Sequence, residues 1–180
     1  MGDTGAMIQG SMFEALFERR LKPDGAFLQD LVQAGYDPSH PEVEYPEAVL
    51  IRCIEVARRH AFPELSPKDG EFRVGQELSD GFLGDTLAGK VMAAAMPLVG
   101  PERIIRSLPR RFKSGTDGEA PDVQQIGDRQ WRVEMGHNAT PYMVAGAIQA
   151  ALARTGVEAR VEVERAHPKC VLLATWSPKA

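Results

Sequence analysis

The chain has 180 residues, 43% of them hydrophobic and 26% charged, which is enough apolar sequence to form the core of one globular domain. A formal net charge of −4 argues against nucleic acid as a partner, because that partner is itself a polyanion. The longest apolar run, residues 91–99, is far short of the roughly 20 residues of a spanning helix. We therefore expect a single domain over residues 1–180 that has no membrane span.

The N-terminus and the cysteines indicate where the protein works. Residues 1–10 carry no basic and apolar secretory signal and are predicted to form a flexible lead-in. Cys53 and Cys170 lie far apart and belong to no CxxC or Cys–His cluster, so buried free thiols are expected ahead of a disulfide. Both features predict a cytoplasmic protein.

Apolar residues recur at helical spacing through the first two-thirds of the chain, which predicts five to six helices. In order, they are expected to begin near Met12, at Pro23, at Glu47, at Pro67 behind an N-cap at Ser66, at Asp85 or Thr86, and at Pro101. Gly35 is predicted to end the second helix, three prolines to hold residues 36–46 in a loop, and Gly84 to break the fourth helix. Gly89 and the alanines at 93–95 give the fifth helix a thin side on which another backbone could pack.

After Pro109 the apolar residues alternate with polar ones, which predicts antiparallel strands. Gly127 and Asp128 mark a hairpin, and Trp131 and Trp176 are interpreted as core residues of adjacent strands. The predicted strands are residues 119–126, 130–135, 158–165 and 170–176, with a helix over 141–155. The fold class is therefore α+β: an N-terminal layer of five to six helices packed on a C-terminal antiparallel sheet of about four strands with one crossing helix.

No catalytic or metal-binding signature is present in the sequence. The four histidines are scattered over separate elements, and an HExxH motif, a GxSxG elbow and a P-loop are all missing. Four carboxylates of the helical region are not paired for general acid–base work: Glu14, Glu18, Asp80 and Asp85. We therefore expect no metal site and no enzyme activity.

The densest basic run consists of Arg103, Arg106, Arg110, Arg111 and Lys113, and it leads into residues 114–118, which are predicted to form a flexible loop. Arginine forks bind carboxylate or phosphate through two hydrogen bonds, so Arg110 and Arg111 are candidates to hold an anionic ligand or an acidic partner. The alternative is a solvated face that complements the end of the preceding helix dipole.

His137 and Asn138 lie where a predicted strand ends and a helix begins. Backbone amides and side-chain donors converge at such a place, so both residues are candidates for ligand binding. The alternative is a turn and a cap, since Thr140 has the residue type of an N-cap and Pro141 that of the first helical position.

Several short segments match one family in their order along the chain: residues 10–17 (GSMFEALF), 34–37 (AGYD), 81–89 (GFLGDTLAG), 98–103 (LVGPER), the pair Arg111 and Phe112, and a last strand ending in Trp176. On these segments the chain resembles a Myxococcales-restricted family of proteins of about this length and of unknown function. The resemblance covers nearly the whole chain and implies the fold and a single domain. Its segments are structural glycines and caps, so it implies no activity.

More distantly, helices followed by an antiparallel sheet with one crossing helix resemble haem–nitric-oxide-binding-like and vinyl-4-reductase-like domains. That resemblance implies a small molecule or lipid held between helices and sheet, or a role as an assembly subunit. The haem-binding members use a Tyr-x-Ser-x-Arg motif and a proximal histidine. Tyr36, Tyr45 and Tyr142 are each followed by other residues, so we expect no haem and no other cofactor.

Two functions follow as hypotheses. The first is a non-catalytic small-molecule-binding or sensory, regulatory domain with an apolar pocket between helices and sheet, in which Arg110, Arg111 and His137 anchor a small apolar or anionic ligand. The second is a homodimeric interaction or assembly subunit that uses the thin side of the fifth helix. The fold resemblance favours the first.

Overall fold

The structure is a computed structural model that describes residues 6–85, 87–115 and 119–179. Its helices are α1 (Gly10–Phe13), which continues as a π-helical segment (Glu14–Leu21), α2 (Gly25–Ala34), α3 (Glu47–Ala61), α4 (Pro67–Asp85), α5 (Leu87–Val99), α6 (Pro101–Arg106), α7 (Leu108–Gly115) and α8 (Pro141–Ala153). Its strands are β1 (Met7–Gln9), β2 (Glu44–Pro46), β3 (Asp122–Gly127), β4 (Gln130–Met135), β5 (Val157–Arg165) and β6 (Cys170–Pro178). The predicted α+β class is confirmed.

The larger sheet contains four antiparallel strands in the order β3-β4-β6-β5, and α8 crosses between β4 and β5 as predicted. Alternate residues of its two central strands are buried on one face: Trp131, Val133 and Met135 on β4, and Cys170, Leu172, Ala174 and Trp176 on β6. The helices cover this face, so the seam between helices and sheet is the interior of the molecule.

Helix α4 lies at the centre of the helical layer because glycines let neighbouring backbones reach it. A Cβ built at Gly75 would overlap the carbonyl oxygen of Met143 on α8, and one at Gly146 of α8 would overlap the carbonyl oxygen of Phe72. On another side, a Cβ at Gly81 would overlap the carbonyl oxygen of Ala15 in the π-helical segment. The two helices α4 and α8 therefore pack backbone to backbone, which holds the helical layer against the sheet.

An aromatic cluster fills the N-terminal end of the core. The ring centroids of Phe13 and Tyr45 are 4.4 Å apart, and those of Phe17 and Tyr36 are 5.4 Å apart. The buried Tyr36 hydroxyl donates to Oε1 of Glu18 at 2.7 Å. Burial, together with this hydrogen bond and the nearby carboxylate, raises the pKa of Tyr36, so the phenol stays protonated as a donor.

Local signals in the sequence set several boundaries correctly. Gly35 follows α2 with φ +107°, and the Ser66 hydroxyl accepts a hydrogen bond from the amide of Asp69 in the first turn of α4. Cys53 and Cys170 are buried free thiols, as expected. Burial raises their pKa values to about 12 and about 11 respectively.

Four expectations about the helical part are wrong. Residues 7–9 of the expected lead-in form β1, which pairs with β2 inside the expected loop over 36–46; residues 1–5 lie outside the described residues. Gly84 does not break α4, which runs to Asp85. Helical structure also continues past Pro109, because that proline occupies the second position of α7, where its missing amide hydrogen is not needed. The helical layer of the described residues thus contains seven α-helices, α1 to α7, rather than five or six, in addition to the predicted crossing helix α8.

Two further details concern the middle of the chain. Thr86, an expected cap of α5, and residues 116–118 of the expected flexible loop lie outside the described residues, while residues 114 and 115 end α7. Within the described ranges no single helix is long and apolar enough to cross a membrane; α4 and α5 pass that test only together, as a pair bent by 103°.

Candidate functional site

A groove of about 450 Å³ opens where the helical layer meets the sheet, and we name it the seam groove. Its apolar wall consists of Val99, Pro101 and Trp176. Its charged lining residues are Glu102 and Arg103 from the start of α6, and Asp128 and Arg129 from the β3–β4 turn. Gly100 completes it. The groove combines an apolar surface with side chains that can bind a charged group, which is the composition of a small-molecule site.

Two turns give the seam groove its shape. Gly100 separates α5 from α6 with φ +79°, a conformation that side chains rarely adopt, and Pro101 then starts α6. Across the groove, Arg129 also has a positive φ of 55° in the hairpin turn, and its carbonyl accepts a hydrogen bond from the amide of Trp176 at 3.3 Å. The groove wall is thus tied to both the helical layer and the sheet.

An arginine row, consisting of Arg103, Arg106 and Arg110, runs from the seam groove along α6 and α7. All three side chains are exposed, and none has a hydrogen-bond or ion-pair partner among the described residues. Other arginines are paired, as Arg154 is with Asp80 at 2.7 Å. An acidic chain therefore keeps unpaired positive charge beside the groove.

Trp131 brings a second unpaired donor to this side of the sheet. The guanidinium carbon of Arg106 lies 4.9 Å from the centroid of the Trp131 ring, a cation–π distance. The ring is buried, and its Nε1–H has no acceptor in the described part of the chain. Buried donors almost always have a partner, so this one marks a place where an acceptor is expected.

The four candidate site residues lie in two places: Arg110 and Arg111 on α7, and His137 and Asn138 in the turn between β4 and α8. Arg110 is exposed on α7 and belongs to the arginine row. Arg111 is half-buried; its Nε donates to the Ser107 hydroxyl at 2.8 Å and its Nη1 contacts the Met92 sulfur at 3.1 Å. Arg111 therefore ties α7 to α6 and α5.

His137 and Asn138 follow β4 and serve the turn into α8. The His137 ring is exposed and stacks on His167, with centroids 5.5 Å apart. Asn138 Oδ1 accepts a hydrogen bond from the Thr140 amide at 2.8 Å. Neither residue lines the seam groove. Asn138 thus makes a hydrogen bond within the turn, while ligand binding by His137 and Asn138 stays a prediction.

A second groove, of about 530 Å³, lies along α2 and α3 and reaches the start of α8. Its charged side chains already have partners elsewhere in the fold. Asp30 binds His60 at 2.8 Å, Arg58 binds Glu55 at 2.5 Å, and Arg52 donates to the Ala34 carbonyl at 3.0 Å. Because these groups already have partners, this groove offers a charged ligand fewer free groups than the seam groove does.

Sequence reasoning missed Arg129 and the wall residues Val99 and Trp176. Arg129 gave a weak signal as the residue after a hairpin glycine and aspartate, while Trp176 was interpreted as core only. No group of three or more His, Cys, Asp or Glu side chains among the described residues could hold a metal ion.

Solved structures of other proteins share this fold. An H-NOX protein from S. oneidensis in the Fe(II)NO state is similar, with a TM-score of 0.69, 14% identity and coverage of 94% of this chain and 99% of that one. An Fe(II) unliganded H-NOX protein from K. algicida has a TM-score of 0.66 and 12% identity, covering 96% and 98%. The chain therefore has an H-NOX-like fold.

The sequence itself places the chain in a family. The model of the family described as protein of unknown function (DUF2378) matches residues 6–177, so the chain belongs to that family. The resemblance to a family of unknown function is thereby confirmed, while its restriction to Myxococcales stays a prediction. No curated protein sequence matches.

The expectation that the chain has no cofactor is contradicted by this comparison. Similar solved structures include H-NOX proteins described by the ligation state of Fe(II) or by haem distortion. Haem is therefore the first group to test against the site. Haem iron takes an axial His, Cys, Met or Tyr, and the lining of the seam groove contains none of these. The residues that line the seam groove therefore do not fit haem.

Proposed function

We propose that the chain is a non-catalytic sensory domain that binds a small ligand, with an apolar body and an anionic group, in the seam groove. The H-NOX-like fold supports the sensory role, since in the S. oneidensis protein this fold carries NO on Fe(II). The buried cysteines and the cytoplasmic location expected from the sequence suit a regulatory domain that works in a reducing compartment.

The observation that carries this proposal is unpaired positive charge beside an apolar wall. Arg103 lines the groove without a partner among the described residues, next to the wall that contains Trp176. An arginine fork binds a carboxylate through two charge-assisted hydrogen bonds, and the wall removes apolar surface of the ligand from water.

The lining also supports binding rather than catalysis. Its titratable groups are two carboxylates and two arginines, with no histidine or cysteine that would act as a general base or nucleophile near neutral pH. A domain with these groups can bind a ligand, and binding would then act on the rest of the protein through changes in side-chain packing.

Tryptophan fluorescence tests the proposal directly, because one of the two tryptophans of the chain lines the groove. The probe is decanoate, which joins a carboxylate to an apolar chain; decanol is the uncharged control. We expect decanoate to change the emission saturably, and Arg103→Gln to weaken its binding about tenfold. Arg110→Gln is the matched control, since it removes an arginine of the same row that does not line the groove.

Two results would contradict the proposal. One is the absence of saturable decanoate binding; the other is equal weakening by Arg103→Gln and Arg110→Gln. Hemin, added under reducing conditions, is titrated in parallel. A stoichiometric Soret band that decanoate does not displace would replace the proposed ligand class with haem.

A second candidate function is that of a homodimeric assembly subunit. It is supported by the exposure of large apolar side chains on α5, where Leu87 and Leu98 are 83% and 89% exposed. Monomeric proteins rarely leave such residues together on one helix. Sedimentation velocity at increasing protein concentration distinguishes a reversible dimer from a monomer.

A further inference from the structure

Helix α5 has one face turned to the core and an opposite face covered by nothing in the described structure. Met96 is buried, and Met92 and Ala93 pack against the core. Opposite them lies what we name the α5 stripe: Leu87, Val91, Ala94 and Leu98. At 3.6 residues per turn these four positions fall within about 60° of arc, so they form one continuous ridge. All four side chains are exposed.

The spacing within the α5 stripe is that of a helix pair. Successive residues of the stripe, from Leu87 through Val91 and Ala94 to Leu98, are separated by four, three and four positions. This is the spacing of a heptad seam that packs against a partner helix. A solvated face would carry charges at such positions, yet the single charged residue of α5, Lys90, lies at the edge of the stripe. The residues of the thin side predicted from the sequence fall on two faces of α5: Gly89 is buried, whereas Ala94 and Ala95 are exposed.

We propose that the α5 stripe packs antiparallel against the α5 stripe of a second copy of this chain, an inference that rests on the second candidate function. The order of side chains is self-complementary in that arrangement. Leu87 of one copy lies opposite Leu98 of the other, and Val91 lies opposite Ala94, on both sides of a two-fold axis. Such an isologous contact closes the assembly at two copies.

Charge decides between the antiparallel and the parallel arrangement. The arginine row begins directly after α5, with Arg103 and Arg106 on α6. Parallel helices would bring the two arginine rows together at one end, where like charges repel. Antiparallel helices place them at opposite ends, and their dipoles also oppose each other favourably. The Lys90 side chains likewise lie opposite Ala95 rather than each other.

The extent of the stripe sets the expected strength of the dimer. A 13-residue helix is about 20 Å long, so the contact is smaller than the roughly 800 Å² per partner of a standard stable interface. We therefore expect a reversible dimer with a micromolar dissociation constant rather than an obligate one. The seam groove, which includes Val99, lies next to this contact.

Cysteine cross-linking of the full chain tests the arrangement. Leu87→Cys combined with Leu98→Cys should give a disulfide-linked dimer on mild oxidation, because the two positions face each other across the axis. Leu98→Cys alone should not, since 11 residues of helix place the two copies of that position roughly 16 Å apart. The wild-type chain, with its two buried thiols, is the background control.

Sedimentation velocity supplies the second readout. Val91→Glu should weaken the dimer about tenfold or more, because it buries a charge in the seam. Gln33→Glu, which adds the same carboxylate at an exposed position of α2, should not. Far-UV circular dichroism verifies that both variants are folded.

Each contrary outcome is distinct. A wild-type monomer at millimolar concentration overturns both this inference and the second candidate function. A dimer that survives Val91→Glu, without cross-linking of the double variant, overturns the α5 contact and leaves the dimer standing. Cross-linking of Leu98→Cys alone overturns the antiparallel order. Binding of a monomer to phosphatidylglycerol vesicles that Val91→Glu abolishes would assign the stripe to a membrane surface instead.

Discussion

The carboxylate of Glu71 joins two helices that are far apart in sequence. Its Oε1 accepts hydrogen bonds from the amides of Tyr142 at 2.9 Å and Met143 at 3.1 Å, in the first turn of α8. These amides have no partner within their own helix, so Glu71 on α4 caps α8 from outside. Thr140 occupies the N-cap position of α8 but makes no capping bond with its side chain.

Replacement of Glu71 by glutamine is predicted to change how stability depends on pH. Burial raises the pKa of Glu71, so the folded chain holds this proton more tightly than the unfolded chain does. The carboxyl therefore favours folding at low pH, and this contribution is lost as the pH rises through the folded-state pKa. The Glu71→Gln variant has no such proton to lose. Its free energy of unfolding, relative to that of wild type, should therefore rise between pH 4 and pH 7.

Urea denaturation at several pH values measures this difference. Glu71→Ala is the control, because it removes the acceptor altogether and should cost about 1 kcal/mol in unfolding free energy, as the loss of a cap does. If the curves of wild type and Glu71→Gln stayed parallel across the pH range, folding would not perturb the carboxyl.

Helix caps show which roles of single residues can be predicted from the sequence. Ser66 and Gly35 act on their own helices, and their residue types predicted the boundaries they set. Glu71 caps a helix some 70 residues away, and nothing in its neighbourhood in the sequence indicates this. The arginine row was visible as a basic run. Whether carboxylates pair with it depends on which acidic residues the fold brings near, and none does so in the part of the chain that the structure describes.

At the scale of elements, the contact between α4 and α8 tolerates larger side chains least, because the two backbones touch there. Gly75→Ala is predicted to lower the free energy of unfolding by about 3 kcal/mol, because its new methyl group would overlap the backbone of α8 and force the helices apart. Gly84→Ala is the matched control in the same helix. A Cβ there meets only the Arg154 guanidinium at 3.5 Å, and alanine should favour the helix by about 0.5–1 kcal/mol.

Chemical denaturation of both variants checks this prediction. Equal destabilisation would mean that glycine is required in α4 for its conformation rather than for the close approach of α8. Stabilisation by both substitutions would mean that the two helices are not in backbone contact.

Helix boundaries were the weakest part of the sequence analysis for the same reason. Gly84 has the residue type of a helix breaker and Pro109 that of a terminator, yet both lie within helices. Glycine allows helices to approach closely as well as to end, and sequence spacing does not separate the two uses. The strands were predicted better, since alternation on β4 and β6 directly marks the face that becomes buried.

At the scale of the whole molecule, a single core joins the helical layer to the sheet. The same cluster of buried residues contains Cys53 of α3 and Cys170 of β6. We propose on this ground that the chain is one domain that unfolds as a unit. Under this proposal, the helical part and the strand-forming part, which were predicted from the change of spacing, are two layers of one domain.

The reactivity of the two thiols tests whether the chain unfolds as one cooperative unit. In the native protein both should react slowly with a disulfide reagent, because burial raises their pKa values to about 12 and about 11 and keeps the reactive thiolate scarce. As guanidinium chloride is raised, we expect both to become reactive at the same concentration. Mass spectrometry of the labelled peptides assigns each thiol. Exposure of Cys170 well before Cys53 would divide the chain into two cooperative units.

The site was harder to predict than the fold because it belongs to no single element. The seam groove forms where the α5–α6 turn meets the β3–β4 turn and the end of β6, so its members are spread from Val99 to Trp176. Each residue taken alone has an ordinary structural interpretation. Only the pairing of β4 with β6, which sets Arg129 beside Trp176, brings them together.

The glycines of α4 also bear on the order in which the protein folds. Four glycines in one helix, each less favourable than alanine by about 1 kcal/mol, leave this segment with little tendency to become helical by itself. It becomes ordered when α8 closes against it, and α8 is synthesised only after residue 140. A nascent chain is therefore expected to complete its centre only after α8, which ends at Ala153, has left the ribosome.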